Sequence, residues 1–138
     1  MARRLISSGG PWEARTGYSR AIVVGDEAFV SGTTDAGRDG VSLHPGNPRG
    51  QAEAVFEIIR KALGEGGFGL ADVVRTRMFV TDVAHIAPVT AVHGEYFRDI
   101  RPAATIVVVS ALIDPTLVVE IEVDARKGSG QASSQPSG

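Results

Sequence analysis

The sequence predicts an α+β layer in which two helices pack on one face of a sheet of about five or six strands. Three observations predict it. Ala52, Val55, Phe56, Ile59, Ala62 and Leu63 fall on one helical stripe, with Gln51, Glu53, Glu57, Arg60 and Lys61 outside it. Val119-Glu120-Ile121-Glu122-Val123 alternates with the strand period of two, so the two glutamates share one face and the valines and isoleucine take the other. The elements also interleave in the order β-β-α-β-α-β-β.

In chain order, Gly9-Gly10-Pro11 and Thr16-Gly17 mark an irregular start before a short strand at Ala21 to Val24. Gly25-Asp26 reads as a hairpin turn into a second strand, Ala28 to Ser31. Thr33 to Gly50, rich in glycine and proline, reads as a long loop leading to the amphipathic helix, which Gly64, Gly66 and Gly67 end. Val73 to Val80 is a strand with Val74, Thr76, Met78 and Val80 on one face and Val73, Arg75, Arg77 and Phe79 on the other. Ile86, Val89, Val92 or His93, Tyr96 and Phe97 outline a second helix, closed by Arg101-Pro102. Strands at Ala103 to Ala111 and Leu117 to Asp124 follow, joined by an Asp114-Pro115 turn. Residues 1–126 are read as one domain. Residues 127–138, rich in Gly, Ser and Gln, are read as a disordered tail that cannot offset its ordering entropy.

The strand from Thr105 to Val109 is apolar on both sides, which fits helices covering one face and another subunit the other. An obligate homo-oligomer with clefts between subunits is therefore expected. The 138 residues carry 14 basic and 16 acidic side chains, a net charge of -2, so no electrostatic footprint for nucleic acid or an anionic membrane is present. With no cysteine, thiol nucleophiles and thiolate metal sites are excluded, and the composition suits a reducing cytoplasm. No apolar run reaches bilayer length. His44, His85 and His93 lack ligand spacing and are read as surface residues, no metal or cofactor being expected. Ser31 lies outside a G-x-S-x-G elbow, and no G-x-G-x-x-G or P-loop cradle occurs.

Five segments, in register, resemble the Rid (YjgF/YER057c/UK114) superfamily: Gly17-Tyr18-Ser19-Arg20-Ala21, Phe29-Val30-Ser31-Gly32, Arg75 to Asp82, Arg101-Pro102-Ala103 and Val119-Glu120-Ile121-Glu122. The match spans about residues 10 to 125. The resemblance implies a chorismate-mutase-like fold and a homotrimer around a central barrel, with three small-molecule clefts at subunit interfaces. It also implies hydrolysis of reactive enamine and imine metabolites, such as 2-aminoacrylate, to a 2-oxo acid and ammonia without a cofactor.

Carried over by position, Tyr18 matches the family's site tyrosine, Ser31-Gly32 its cleft-lining turn and Glu120 the glutamate that positions water. Thr90 stands where the deaminase branch has asparagine, and Ala104 where it has arginine. The arginine matters because a guanidinium forks onto a substrate carboxylate with two charge-assisted hydrogen bonds. Alanine has no donor. Backbone N–H groups around Thr105 and Ile106 are expected to hold the substrate's polar end, and Arg77 with Phe79 is expected to line the cleft, Arg77 as a replacement clamp.

Each residue has a plainer alternative. Arg77 could form a salt bridge to Glu122 or Asp124, Tyr18 could pack with its hydroxyl at the rim, and Glu120 could sit on a half-solvated strand edge. Trp12 could cap the cleft or pack on the sheet. For the whole chain, imine hydrolysis competes with non-catalytic metabolite binding and, least supported by the charge, RNA cleavage.

Overall fold

A computed structural model describes residues 2–129. Strand β1 (Arg4–Ile6) and helix α1 (Trp12–Thr16) precede the hairpin of β2 (Ala21–Val24) and β3 (Glu27–Thr33). Then come α2 (Pro48–Glu65), β4 (Val73–Val80), α3 (Ile86–Phe97), β5 (Ala103–Val108) and β6 (Val119–Arg126). The sheet is six-stranded and mixed, ordered β1-β2-β3-β6-β4-β5, with β5 running parallel to β4 and the other pairs antiparallel. The expected α+β layer is therefore present.

The hairpin turns through Gly25-Asp26, where Gly25 has φ of +58°, a value that favours glycine. Helix α2 begins at Pro48, earlier than the periodicity predicts. Asn47 caps it by accepting from the Gly50 N–H at 2.9 Å, and Pro48 occupies a first-turn position where a missing N–H costs nothing. Its predicted stripe is fully buried against the sheet face formed by Val119, Ile121, Val123, Met78 and Val80. Helix α3 adds Val89, Val92 and Phe97 to the same core. Both long helices thus cover one face, and the glutamates of β6 lie on the other.

Four expectations need correction. The start is not irregular: β1 pairs with β2, and Glu13 holds the chain between β1 and α1 by accepting from the Ser8 N–H and hydroxyl. Val73 and Val74 exchange faces, because the β4–β6 register shifts between Val73 and Arg75; Val73 is buried and Val74 exposed. Strand β5 ends at Val108, and β6 begins at Val119 and runs on to Arg126. Gln51, read as lying outside the buried stripe of α2, is fully buried, because its amide serves the loop after β3. Buried Asp35 accepts from Ser42 Oγ and the His44 N–H, while buried Gln51 ties the carbonyls of His44 and Thr116 and the N–H of Val118 together.

Among the described residues no helix is long and apolar enough to cross a membrane. Of the predicted tail, residues 127–129 follow β6, with the Lys127 N–H donating to the Asp26 carbonyl at 2.7 Å. Residues 130–138 lie outside the described residues.

Candidate functional site

Glu120 stands on the face of β6 that the helices leave open, opposite Phe79 of β4. It is half-buried and, among the described residues, its carboxylate has no hydrogen-bond or ion-pair partner. Burial pushes its pKa upward, the neighbouring Arg20 guanidinium pulls against that, and Glu122 adds to it. A carboxylate held like this is a candidate general base.

The backbone beside it is shaped to admit it. Between Val30 and Thr33 the β3–β6 register slips by one residue, so Ser31-Gly32 forms a bulge within β3 where the resemblance implied a turn. Glu120 lies against the α carbon of Gly32; a Cβ there would overlap Oε2 and stand 3.0 Å from Cδ. Ser31 is engaged in holding the bulge: its hydroxyl donates to the Ser19 carbonyl at 2.7 Å and its N–H to the Arg20 carbonyl at 3.0 Å.

Arg20 completes this cluster. Its Nη2 donates to the Gly32 carbonyl, its guanidinium carbon sits 5.6 Å from the centre of the Tyr18 ring, and its Nε is buried without an acceptor among the described residues. Tyr18 is 37% exposed. Tyr18 and Arg20 both open onto a cavity of about 490 Å³ that Trp12, Thr34, Arg38 and Lys61 also line. Tyr18, Phe29 and Ser31 border a second, shallower cavity of about 660 Å³ with Arg77, Glu122 and Asp124.

Arg77 shares the open face, and its Nη1 lies 3.4 Å from Glu122 Oε1 and 3.3 Å from Asp124 Oδ2. Its charge is thus engaged by the two carboxylates weighed as alternative partners. Phe79 stands between Glu120 and Val107 in the sheet. The remaining predicted residues lie elsewhere in the protomer. Thr90 is exposed on α3, its hydroxyl donating back to the Ile86 and Ala87 carbonyls. Ala104, Thr105 and Ile106 sit on β5, an edge strand separated from Glu120 by β4. Ala104 pairs with buried Thr76 and so shares the helix-side face. One protomer therefore gathers Tyr18, Ser31, Gly32 and Glu120, and presents Thr90 and residues 104–106 at a separate edge.

The family described as Endoribonuclease L-PSP matches residues 11–127. A solved member of the YjgF/YER057c/UK114 family from Mycobacterium tuberculosis superposes with a TM-score of 0.82 at 42% identity, covering 91% of this chain and 99% of that one. The chain belongs to the Rid (YjgF/YER057c/UK114) family. RidA from an Antarctic Psychrobacter species superposes on this Rid protein with a TM-score of 0.72 at 30% identity, over 88% of this chain and 93% of that one. An uncharacterised protein of Streptomyces coelicolor is 35% identical over 128 residues, 93% of this chain and 95% of that protein.

Sequence reasoning about the Rid site passed over Arg20. The available signal was a cation at the entry to β2, whose Ala21 and Val23 are buried, since an arginine in such a place needs acceptors. His93 also differs from the surface role expected of it. It is half-buried, its Nε2 lies 2.8 Å from Thr76 Oγ1, its ring packs on Phe56 and Phe97, and burial lowers its pKa. His44 Nδ1 pairs with Asp35 Oδ2 at 3.0 Å. Among the described residues no group of three or more His, Asp or Glu side chains is disposed to hold a metal ion.

Proposed function

We propose that this Rid protein hydrolyses a reactive C=N or enamine metabolite at clefts between the subunits of a homotrimer. The observation that carries the reading is Glu120, a half-buried, unpartnered carboxylate seated over the one backbone position whose lack of a side chain makes room for it. Water is the only co-reactant the chemistry needs. Glu120 orients a water and takes a proton from it, and the oxygen bonds to the imine carbon as the C=N π electrons move to nitrogen. Glu120 returns that proton to the nitrogen to give the carbinolamine, then takes the hydroxyl proton and passes it to the nitrogen as well, so that the C–N bond breaks, the C–O bond becomes C=O and ammonia or an amine leaves. Tyr18 lies on the same side to donate to the substrate or wall the cleft.

Assembly supplies the reason for clefts between copies. Among the described residues strand β5 has an unpaired edge, with Val107 at 42% and Val108 at 48% exposure, and the open sheet face carries Phe29 and Phe79. A second copy laid on that face covers apolar surface and brings a neighbour's β5 and α3, with residues 104–106 and Thr90, toward Glu120.

The test is ammonia release from enzymatically generated 2-iminopropionate. Acceleration by the protein that disappears in Glu120→Ala supports the hydrolase; no acceleration, or acceleration that survives the substitution, overturns it. A second reading, metabolite binding without turnover, is favoured by Ala104, which offers no donor where the deaminase branch has arginine. It predicts thermal stabilisation by small carboxylates or amines with no ammonia release. RNA cleavage, which the matched family's description names, finds no support in a chain of net charge -2.

A further inference from the structure

We infer that the cavity between helix α2 and the chain joining β1 to α1 is a second binding site, separate from the Glu120 cleft, and that its ligand is a small phosphate monoester carrying a planar ring. The inference does not depend on the hydrolase reading.

The walls set this cavity apart. Lys61 and Glu65 of α2 stand on one side, the chain from Ile6 to Trp12 on a second, and Arg38 with its neighbours on the loop after β3 on a third. Ser31, Gly32 and Glu120 do not line it. Arg20 is the partition: its Nη2 donates to the Gly32 carbonyl, beside Glu120, while the residue also lines the cavity. A volume of about 490 Å³ is within the range that holds small molecules.

Charge narrows the ligand. Three cations, Arg20, Arg38 and Lys61, line the cavity against one carboxylate, Glu65, in a chain whose net charge is -2. Among the described residues none of the three cations has a carboxylate within ion-pair distance, whereas Arg49, Arg60 and Arg77 each have one. Nε of Arg20 is buried and has no acceptor among the described residues. Buried donors are nearly always paired, so an acceptor arriving from the cavity would answer it. Like charges gathered in one concavity focus a positive potential that an anion relieves. A carboxylate brings one charge and two oxygens. A phosphate monoester brings nearly two charges and three oxygens, enough to meet an arginine fork and a lysine point charge together.

Trp12 is the reason for a ring. It is 44% exposed, lines the cavity, and its Cζ2 lies 4.0 Å from where a Cβ on Gly40 would stand, so the indole reaches across to the loop after β3. Arg15, which lies outside the cavity lining, stacks on the indole 5.2 Å from its centre and holds it in place. A flat group entering beside the phosphate meets Trp12 and Tyr18 in place of water.

Trp12 is the chain's single tryptophan, so its fluorescence reports on this cavity directly. Phenyl phosphate titrated into the intact protein at neutral pH should change the emission saturably. Benzoate, which lacks the second charge, should bind at least about tenfold more weakly, and methyl phosphate, which lacks the ring, at least about threefold. These ligand comparisons need no variant. Arg38→Gln and Lys61→Gln alter exposed side chains and should each weaken phenyl phosphate by about tenfold, while Glu120→Gln should leave its affinity within about twofold. The assignment is overturned by the absence of a saturable change, by benzoate or methyl phosphate binding as tightly as phenyl phosphate, or by an affinity that survives both substitutions together. An affinity lost in Glu120→Gln would place the ligand in the cleft and overturn it as well. Ammonia release from 2-iminopropionate, measured alongside, tests the hydrolase reading alone, so either can fail without the other.

Discussion

The two faces of strand β6 live in different solvents. Val119, Ile121 and Val123 are fully buried under α2 and α3 in an apolar layer whose polar intrusion, buried Thr76, is paired with His93. Glu120, Glu122 and Asp124, on alternate positions of the same strand, are half-buried among Arg77, Phe79 and Phe29. The first face is closed, and substitution there is expected to act on stability. The second holds charges that are incompletely paired and apolar groups that are incompletely covered, a combination suited to chemistry and association and poorly suited to stabilising a lone protomer. A strand thus lends the rigidity of its packed side to a carboxylate on the other.

The largest expected effect is on the closed face. Phe56→Ala, which removes a fully buried ring packed on His93, Tyr96 and Phe97, should cost about 3–5 kcal/mol in denaturant unfolding. A loss below about 1 kcal/mol would mean that the helix-covered layer is not the stabilising one. Next is Gly32→Ala, which drives a methyl group into Glu120 and should cost about 1–3 kcal/mol as overpacking. Much of that cost should return in the double variant Gly32→Ala/Glu120→Ala, and a double-mutant cycle with purely additive energies would refute the close approach.

Glu120→Gln sharpens the comparison with a sign. Because burial raises the folded-state pKa, the folded protein holds this proton more tightly than the unfolded chain does. The stability so gained is present below the ordinary glutamate pKa and is lost as pH rises through the folded value. At neutral pH the glutamine variant should therefore be more stable than the wild type, and the difference should fade on acidification. A glutamine variant less stable at neutral pH would mean that Glu120 has a partner. The smallest effect is expected from Arg77→Met, whose two ion pairs join side chains that are 39%, 35% and 30% exposed. The loss should lie between about 0 and 1 kcal/mol and shrink as salt is added to the melting buffer.

Legibility from sequence followed the strength of periodicity. Helix α2 and strand β6 stand out because long runs repeat at 3.6 and 2 residues, and their apolar buried sets match the predicted faces. Strand β1 is three residues long and depends on pairing with β2, and α1 is a five-residue turn held by Glu13. Neither has length enough to show a period. The bulges at Val74 and at Ser31-Gly32 are register shifts created by the partner strand, so no single strand's pattern records them. In the candidate site, the Glu120 anomaly was legible as a carboxylate in an apolar strand. Arg20 was legible only as a cation at the entry to an apolar strand, because its link to the β3 bulge through the Gly32 carbonyl is a property of three-dimensional proximity.

The central claim is that the open face of the sheet is half of a site that further copies complete. Sedimentation equilibrium of the full chain at micromolar concentration tests it most directly. The account predicts a species of three times the chain's mass that persists on dilution. A monodisperse single-chain species, stable and soluble with Val107, Val108 and Phe29 facing water, would contradict it.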